Sequence, residues 1–139
     1  PQEAVEKLVK SYERELKKLE AKRISPIEVI AVLPIENESR KIPKTGYYKG
    51  EPYAGTWQER TALVKQLNRG IEEMCARNKY EFTKHPEVFY NTLDELSFDV
   101  MEKPKSVHIA RQFYRWDLIN DTPNPELKAS KKPKPEALF

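Results

Sequence analysis

At 139 residues the chain has the length of about one domain, with one core. Its single cysteine, Cys75, excludes an internal disulfide and a zinc site built on cysteines. The net charge is +3, and the last twelve residues, KASKKPKPEALF, hold four lysines and one glutamate, so that segment supplies the whole excess. Residues 121–139 are therefore expected to be a solvated, Pro/Lys-rich basic tail, with 1–120 as the folded domain. No apolar run approaches the ~18 residues of a membrane span. With one cysteine and no signal-peptide pattern, the expected compartment is the cytoplasm and no membrane partner is expected.

Residues 2 to 22 carry Val5, Leu8, Val9, Tyr12, Leu16 and Leu19 at three- and four-residue steps, which lays them on one stripe of a helix. Glu3–Lys7, Glu6–Lys10 and Glu13–Lys17 are i,i+4 pairs on its wet faces. Pro26 is expected to end the helix, because proline drives the residue before it, Ser25, out of the helical region. IEVIAVLPI follows: six of its nine residues are Ile, Val or Leu, and only Glu28 is charged. Such a run suggests a strand covered on both faces, as in a parallel sheet. A helix leading into a buried strand is half of a βαβ unit, and α/β is the expected class.

Residues 36 to 55 form a polar stretch with three of the four glycines. A loop of about twenty residues is more often functional than idle. It leaves the strand at the edge where open α/β sheets bind ligands, so it is either a lid or a surface excursion packed by its tyrosines. Thr56 and Glu59 have capping-box spacing and open a second helix whose apolar face runs Leu63, Leu67, Ile71, Met74, widened by Val64 and Cys75. Gly70 either weakens that helix or marks a close approach to a neighbour. YEFTK at 80 to 84 reads as a short strand, and His85, before Pro86, as a loop residue. Thr92-x-x-Glu95 offers another cap. IARQFYRWDLI reads as a last helix with Ile109, Phe113, Trp116 and Ile119 turned inward.

The order of these elements resembles the C-terminal half of the SGNH/GDSL hydrolase family. The resemblance rests on the strand VIAVLPI, the helix segment LVKQLNRGIEEMCARNKYEF with Asn68 near its middle, and the SVHI block around His108. It implies a flavodoxin-like, three-layer α/β/α parallel sheet, of which residues 1–120 would be the C-terminal half. It also implies acyl-ester hydrolysis of a small ester substrate, with His108 as general base for a serine nucleophile. The family's Gly-Asp-Ser turn is not among these residues, so the nucleophile is expected on sequence preceding Pro1 or on another chain. Lys105 stands where the family has the Asp that orients the histidine; lysine cannot accept the imidazole N–H. Asp99 and Glu102 are the candidates to replace it.

His108 has a second reading, as a residue that caps or packs the final helix without chemistry. Two histidines 23 residues apart match no metal-ligand spacing, and no glycine-rich turn joins a strand to a helix, so neither a metal nor a cofactor is expected. A nucleic-acid partner is not expected either, because the aromatics of RQFYRW stand at core spacing. Two functions remain. The chain is the His-bearing portion of a serine ester hydrolase, or it is a non-catalytic hydrolase-like fold serving as a structural or binding subunit. In both, the expected partner is the other half of the fold or a separate protein chain. An unpaired inner strand edge would make the chain self-associate.

Overall fold

The structure, a computed structural model of the chain, describes residues 2–24, 26–37, 54–103 and 108–127. The 36–55 excursion lies outside the described residues over 38–53, as do Lys105, Ser25 and the tail from 128 onward. The described residues of 1–33 and 55–85 form one compact unit, and those of 34–54 and 86–139 form another. Each has its own apolar cluster, where the length had suggested a single core.

The first unit holds α1 (Gln2–Ala21), β1 (Glu28–Ile30), α2 (Trp57–Asn78) and β2 (Glu81–Thr83). The strands pair in parallel, Val29 opposite Phe82, and α2 is the crossover between them. A mixed helix and strand class with a parallel βαβ unit is therefore present, as the run of elements implied. Val29 enters the core with Val5, Val9 and Leu16 of α1 and with Ile71, Met74 and Cys75 of α2. Fully burying an aliphatic side chain of this size contributes roughly 1.5–3 kcal/mol.

Both helices lie on the Val29 face. Glu28 is exposed and Ile30 is 42% exposed, so β1 alternates instead of being covered on two sides. The expected double coverage is corrected here: the IEVIAVLPI run contains three strand residues, and only one of them is buried. The described sheet has two strands, and the described layers are two.

Both helix ends are set by the same backbone device. The α1 helix ends before Pro26 is reached. Arg23 takes a left-handed φ of 62°, its N–H donates to the Glu20 carbonyl, and the Ile24 N–H donates to that of Leu19. This is a Schellman turn with an arginine where glycine is usual. Lys79, at φ 60°, does the same for α2, with Tyr80 N–H donating to the Cys75 carbonyl at 2.9 Å. Here the apolar partners of the motif, Cys75 and Tyr80, are both in the core. At the other end of α2 the anticipated cap forms: Thr56 Oγ1 accepts from the Glu59 N–H at 3.0 Å.

The second unit has little regular structure. Its core is Phe89, Leu96, Val100, Met101, Ala110, Phe113 and Leu127. Short 3-10 turns at Glu87–Phe89, Phe98–Val100, Arg111–Phe113 and Pro125–Leu127 carry Phe89, Val100, Phe113 and Leu127; Leu96, Met101 and Ala110 lie between the turns, and α3 (Trp116–Asn120) buries no residue. The continuous last helix is replaced by a 3-10 turn and a five-residue helix, with a break at Tyr114 and Arg115. Asn124 supplies the reason. Its Nδ2 donates to the carbonyls of Gln112 and Tyr114, which an unbroken helix would use for its own rungs. Phe113 is buried as anticipated, but Trp116 is 40% and Ile119 71% exposed. Leu127 is buried, so the segment from 121 to 127 belongs to the fold and not to a tail.

Candidate functional site

The three residues singled out for chemistry, Asp99, Glu102 and His108, all fall in the second unit. They are held by a small scaffold that begins at Asn91. Its Oδ1 accepts from the N–H groups of Leu93 and Glu95, and its Nδ2 donates to the Glu95 carboxylate at 2.9 Å. Asn91 therefore organises a tight turn, with Asp94 in the left-handed region at φ 59°. The Thr92-x-x-Glu95 cap does not form; Asn91, one position earlier, takes that role, and Glu95 is drawn inside. The turn closes a bridge between Tyr90 and Leu96.

Ser97 follows. Its hydroxyl accepts from the Asp99 N–H at 3.1 Å, capping the 3-10 turn that contains Asp99. Met101 then bridges Ile109 in antiparallel fashion, the Ala110 N–H donates to the Val100 carbonyl, and the Glu102 N–H donates to the His108 carbonyl at 2.9 Å. Glu102 and His108 thus face each other across one rung of a miniature ladder, joined through their main chains. Asp99 sits at the start of the same stretch. All three side chains are exposed to solvent.

Removing a proton from an alcohol requires that alcohol within about 3 Å, in a fixed direction. Ser97, the one described serine of this unit, is buried with its oxygen accepting from the Asp99 N–H. Cys75 is no substitute. Burial pushes its thiol up from the ordinary value, and Glu72 adds to the shift, so the thiolate is disfavoured.

The other histidine has a clear structural task. His85 Nε2 lies 2.7 Å from the Ala31 carbonyl, which can only accept, so this nitrogen carries the hydrogen. The Ala31 N–H donates to Thr83, the last main-chain rung described between the strands. In a parallel ladder the next rung would end on the Ala31 carbonyl. The His85 ring fills that place, which the reading of a plain loop residue missed.

Asn68 is another residue whose role the sequence did not disclose. From the middle of α2 its Oδ1 accepts from the Val32 N–H at 2.8 Å, and its Nδ2 donates to the Val32 carbonyl at 3.4 Å. In the second unit Arg115 grips Asp117 through Nε and a terminal nitrogen, at 3.0 and 3.1 Å. That hydrogen bonding holds the Asp117 carboxyl below its usual value.

A groove of about 440 Å³ runs between α1 and α2, with Val5, Val9 and Gly70 in its lining. Its rim alternates Glu6, Lys10 and Glu13 with Arg69, Glu73 and Arg77, so neither sign of charge prevails. Among the described residues no group of three or more His, Cys, Asp or Glu side chains stands ready for a metal ion. No described helix is long and apolar enough to cross a membrane. No protein-family model, no curated protein and no solved structure matches this chain.

Proposed function

We propose that the chain is a non-catalytic, hydrolase-like α/β element that serves as a structural or binding subunit of a larger assembly. The observation that carries this reading is the setting of His108. Its ring is exposed, and Ser97, the nearest described serine in sequence, is buried with its oxygen accepting from the Asp99 N–H. An imidazole acting as general base needs its serine oxygen within hydrogen-bond reach, about 3 Å. The parallel β1–α2–β2 unit supports the architectural half of the proposal, in which these strands belong to a wider flavodoxin-like, three-layer sheet completed by another segment or chain.

The test is direct. The natural polypeptide should show no labelling by a serine-directed fluorophosphonate that depends on His108, and no turnover of simple esters above that of His108→Ala. Labelling abolished by His108→Ala, in a variant with unchanged circular dichroism, would sink the proposal.

One observation favours a second reading. The rung between Met101 and Ile109 brings Glu102 opposite His108. A carboxylate there is suited to orienting an imidazole as the general base of an SGNH-type ester hydrolase whose serine lies elsewhere. Under that reading Glu102→Gln lowers the labelling rate while Asp99→Asn leaves it unchanged.

A further inference from the structure

The main-chain groups of β1 divide by the two-residue alternation of a strand. Those of Ile27 and Ala31 face β2: the Glu81 N–H donates to the Ile27 carbonyl at 3.2 Å, and the Ala31 N–H to that of Thr83 at 2.9 Å. Those of Pro26, Glu28, Ile30 and Val32 consequently face the other margin. Among the described residues no strand pairs there, and the side chains of Glu28 and Ile30 are exposed. An open margin of this kind is a template for another chain.

The margin is nevertheless interrupted at both ends. Pro26 has no N–H to offer. At Val32 both groups are taken by a single side chain, with Asn68 Oδ1 on the N–H and Asn68 Nδ2 on the carbonyl. A primary amide offers the same donor and acceptor pair as the peptide group of a neighbouring strand. Asn68 therefore meets the needs of Val32 as a paired strand would, yet it belongs to α2 and cannot be extended.

We propose that Asn68 acts as a surrogate strand that closes the outer margin of β1 and keeps the chain from pairing there with a second copy of itself. The register at stake can be stated. An antiparallel two-fold centred on Ile30 sets Ile30 against Ile30 of the second copy and Glu28 against Val32 of the second copy. It forms about six main-chain hydrogen bonds and opposes no like charges. With Val32 held by Asn68, only the two between the Ile30 residues remain, far short of a stable strand pair. The inference does not depend on whether the fold is catalytic.

Asn68→Ala in the full chain removes the amide and keeps a strong helix former in α2. In sedimentation velocity across a concentration series, the variant should dimerise at least tenfold more tightly than the parent. Ile30→Pro added to Asn68→Ala should return it to the parent's behaviour, since that proline removes a donor on the outer margin only. No gain in association, or a gain that survives Ile30→Pro, overturns the proposal. A second measurement does not depend on the variant folding: amide exchange at Val32 in the parent. Protection of that N–H in the dilute protein supports the assignment; exchange as fast as at Glu28 and Ile30 overturns it.

Discussion

A methyl group at Gly70 of α2 would meet Val9 Cγ2 of α1 at 3.0 Å. The two helices approach each other across the missing side chain, which decides between the two meanings that a mid-helix glycine allows. Alanine at this place would improve helix propensity by about 1 kcal/mol. It would also press on a β-branched neighbour that has one comfortable rotamer in a helix. Gly70→Ala should thus fail to stabilise the parent, and it should stabilise a Val9→Ala background by about 1 kcal/mol. Urea unfolding of the four proteins in a double-mutant cycle measures the coupling, and additivity would refute the close approach.

Arg23 and Lys79 occupy the left-handed position that ends each long helix. A side chain there costs energy that glycine avoids, partly offset by glycine's greater freedom in the unfolded chain. Arg23→Gly and Lys79→Gly should each raise stability by about 0.5–1 kcal/mol, seen as a higher Tm. Lys79→Val should lower it, because a β-branched residue tolerates positive φ least. A loss on Lys79→Gly would mean that the Schellman turn is not what ends α2.

Glu13 ties α1 to the end of α2. Asn78 Nδ2 donates to its carboxylate at 2.5 Å, and Arg77 stands 3.5 Å from the same oxygen. The Asn78 hydrogen bond, more than the Arg77 charge, holds the Glu13 carboxyl below its ordinary value. The unfolded chain therefore binds this proton more readily than the folded one. The stabilisation is complete above the ordinary carboxylate value and disappears as pH falls through the lower, folded value. Glu13→Gln should flatten that acid limb of the stability curve while changing little at neutral pH beyond the lost tie. An unchanged acid limb would remove Glu13 from the account.

Asn124 interrupts a helix by occupying the carbonyls of Gln112 and Tyr114. Asn124→Ala should release them, so that the 111–120 stretch gains helical rungs and the far-UV signal at 222 nm deepens. Leu127, anchored by the same segment, should become more exposed, at a cost of about 1–2 kcal/mol. A variant with parental helicity and stability would show that the break has another cause.

The ester-hydrolase assay on His108→Ala and the association assay on Asn68→Ala address different units of the chain. Failure of one leaves the other standing.

Much of the first unit could be read directly from local pattern. The α1 stripe, the Thr56 cap, the α2 face and the pair of short strands come from periodicity and capping chemistry, both of which act within a few residues. Val5, Val9 and Leu16 are buried as the stripe required, whereas Leu8, Tyr12 and Leu19 of the same stripe, and Leu63 of the α2 face, are exposed. The second unit resisted such reading because its shape depends on side-chain amides meeting main-chain groups at a distance. Asn124 reaches back ten and twelve residues, and Asn91 moves the turn by one position from where Thr92 and Glu95 suggested it. Neither asparagine announces which backbone group it will bind.

The candidate site divides the same way. Histidine, aspartate and glutamate could be named from residue type and order, but whether their side chains are enclosed or exposed depends on what packs around them. The sequence by itself determined two amphipathic helices, a parallel crossover and a short list of titratable groups, since hydrophobic spacing and caps are local quantities. Only the tertiary structure decided that β1 is covered on one face, that Asn68 holds Val32, and that His108 meets Glu102 through main chains. Those outcomes depend on which distant groups are left to satisfy one another once the core has formed.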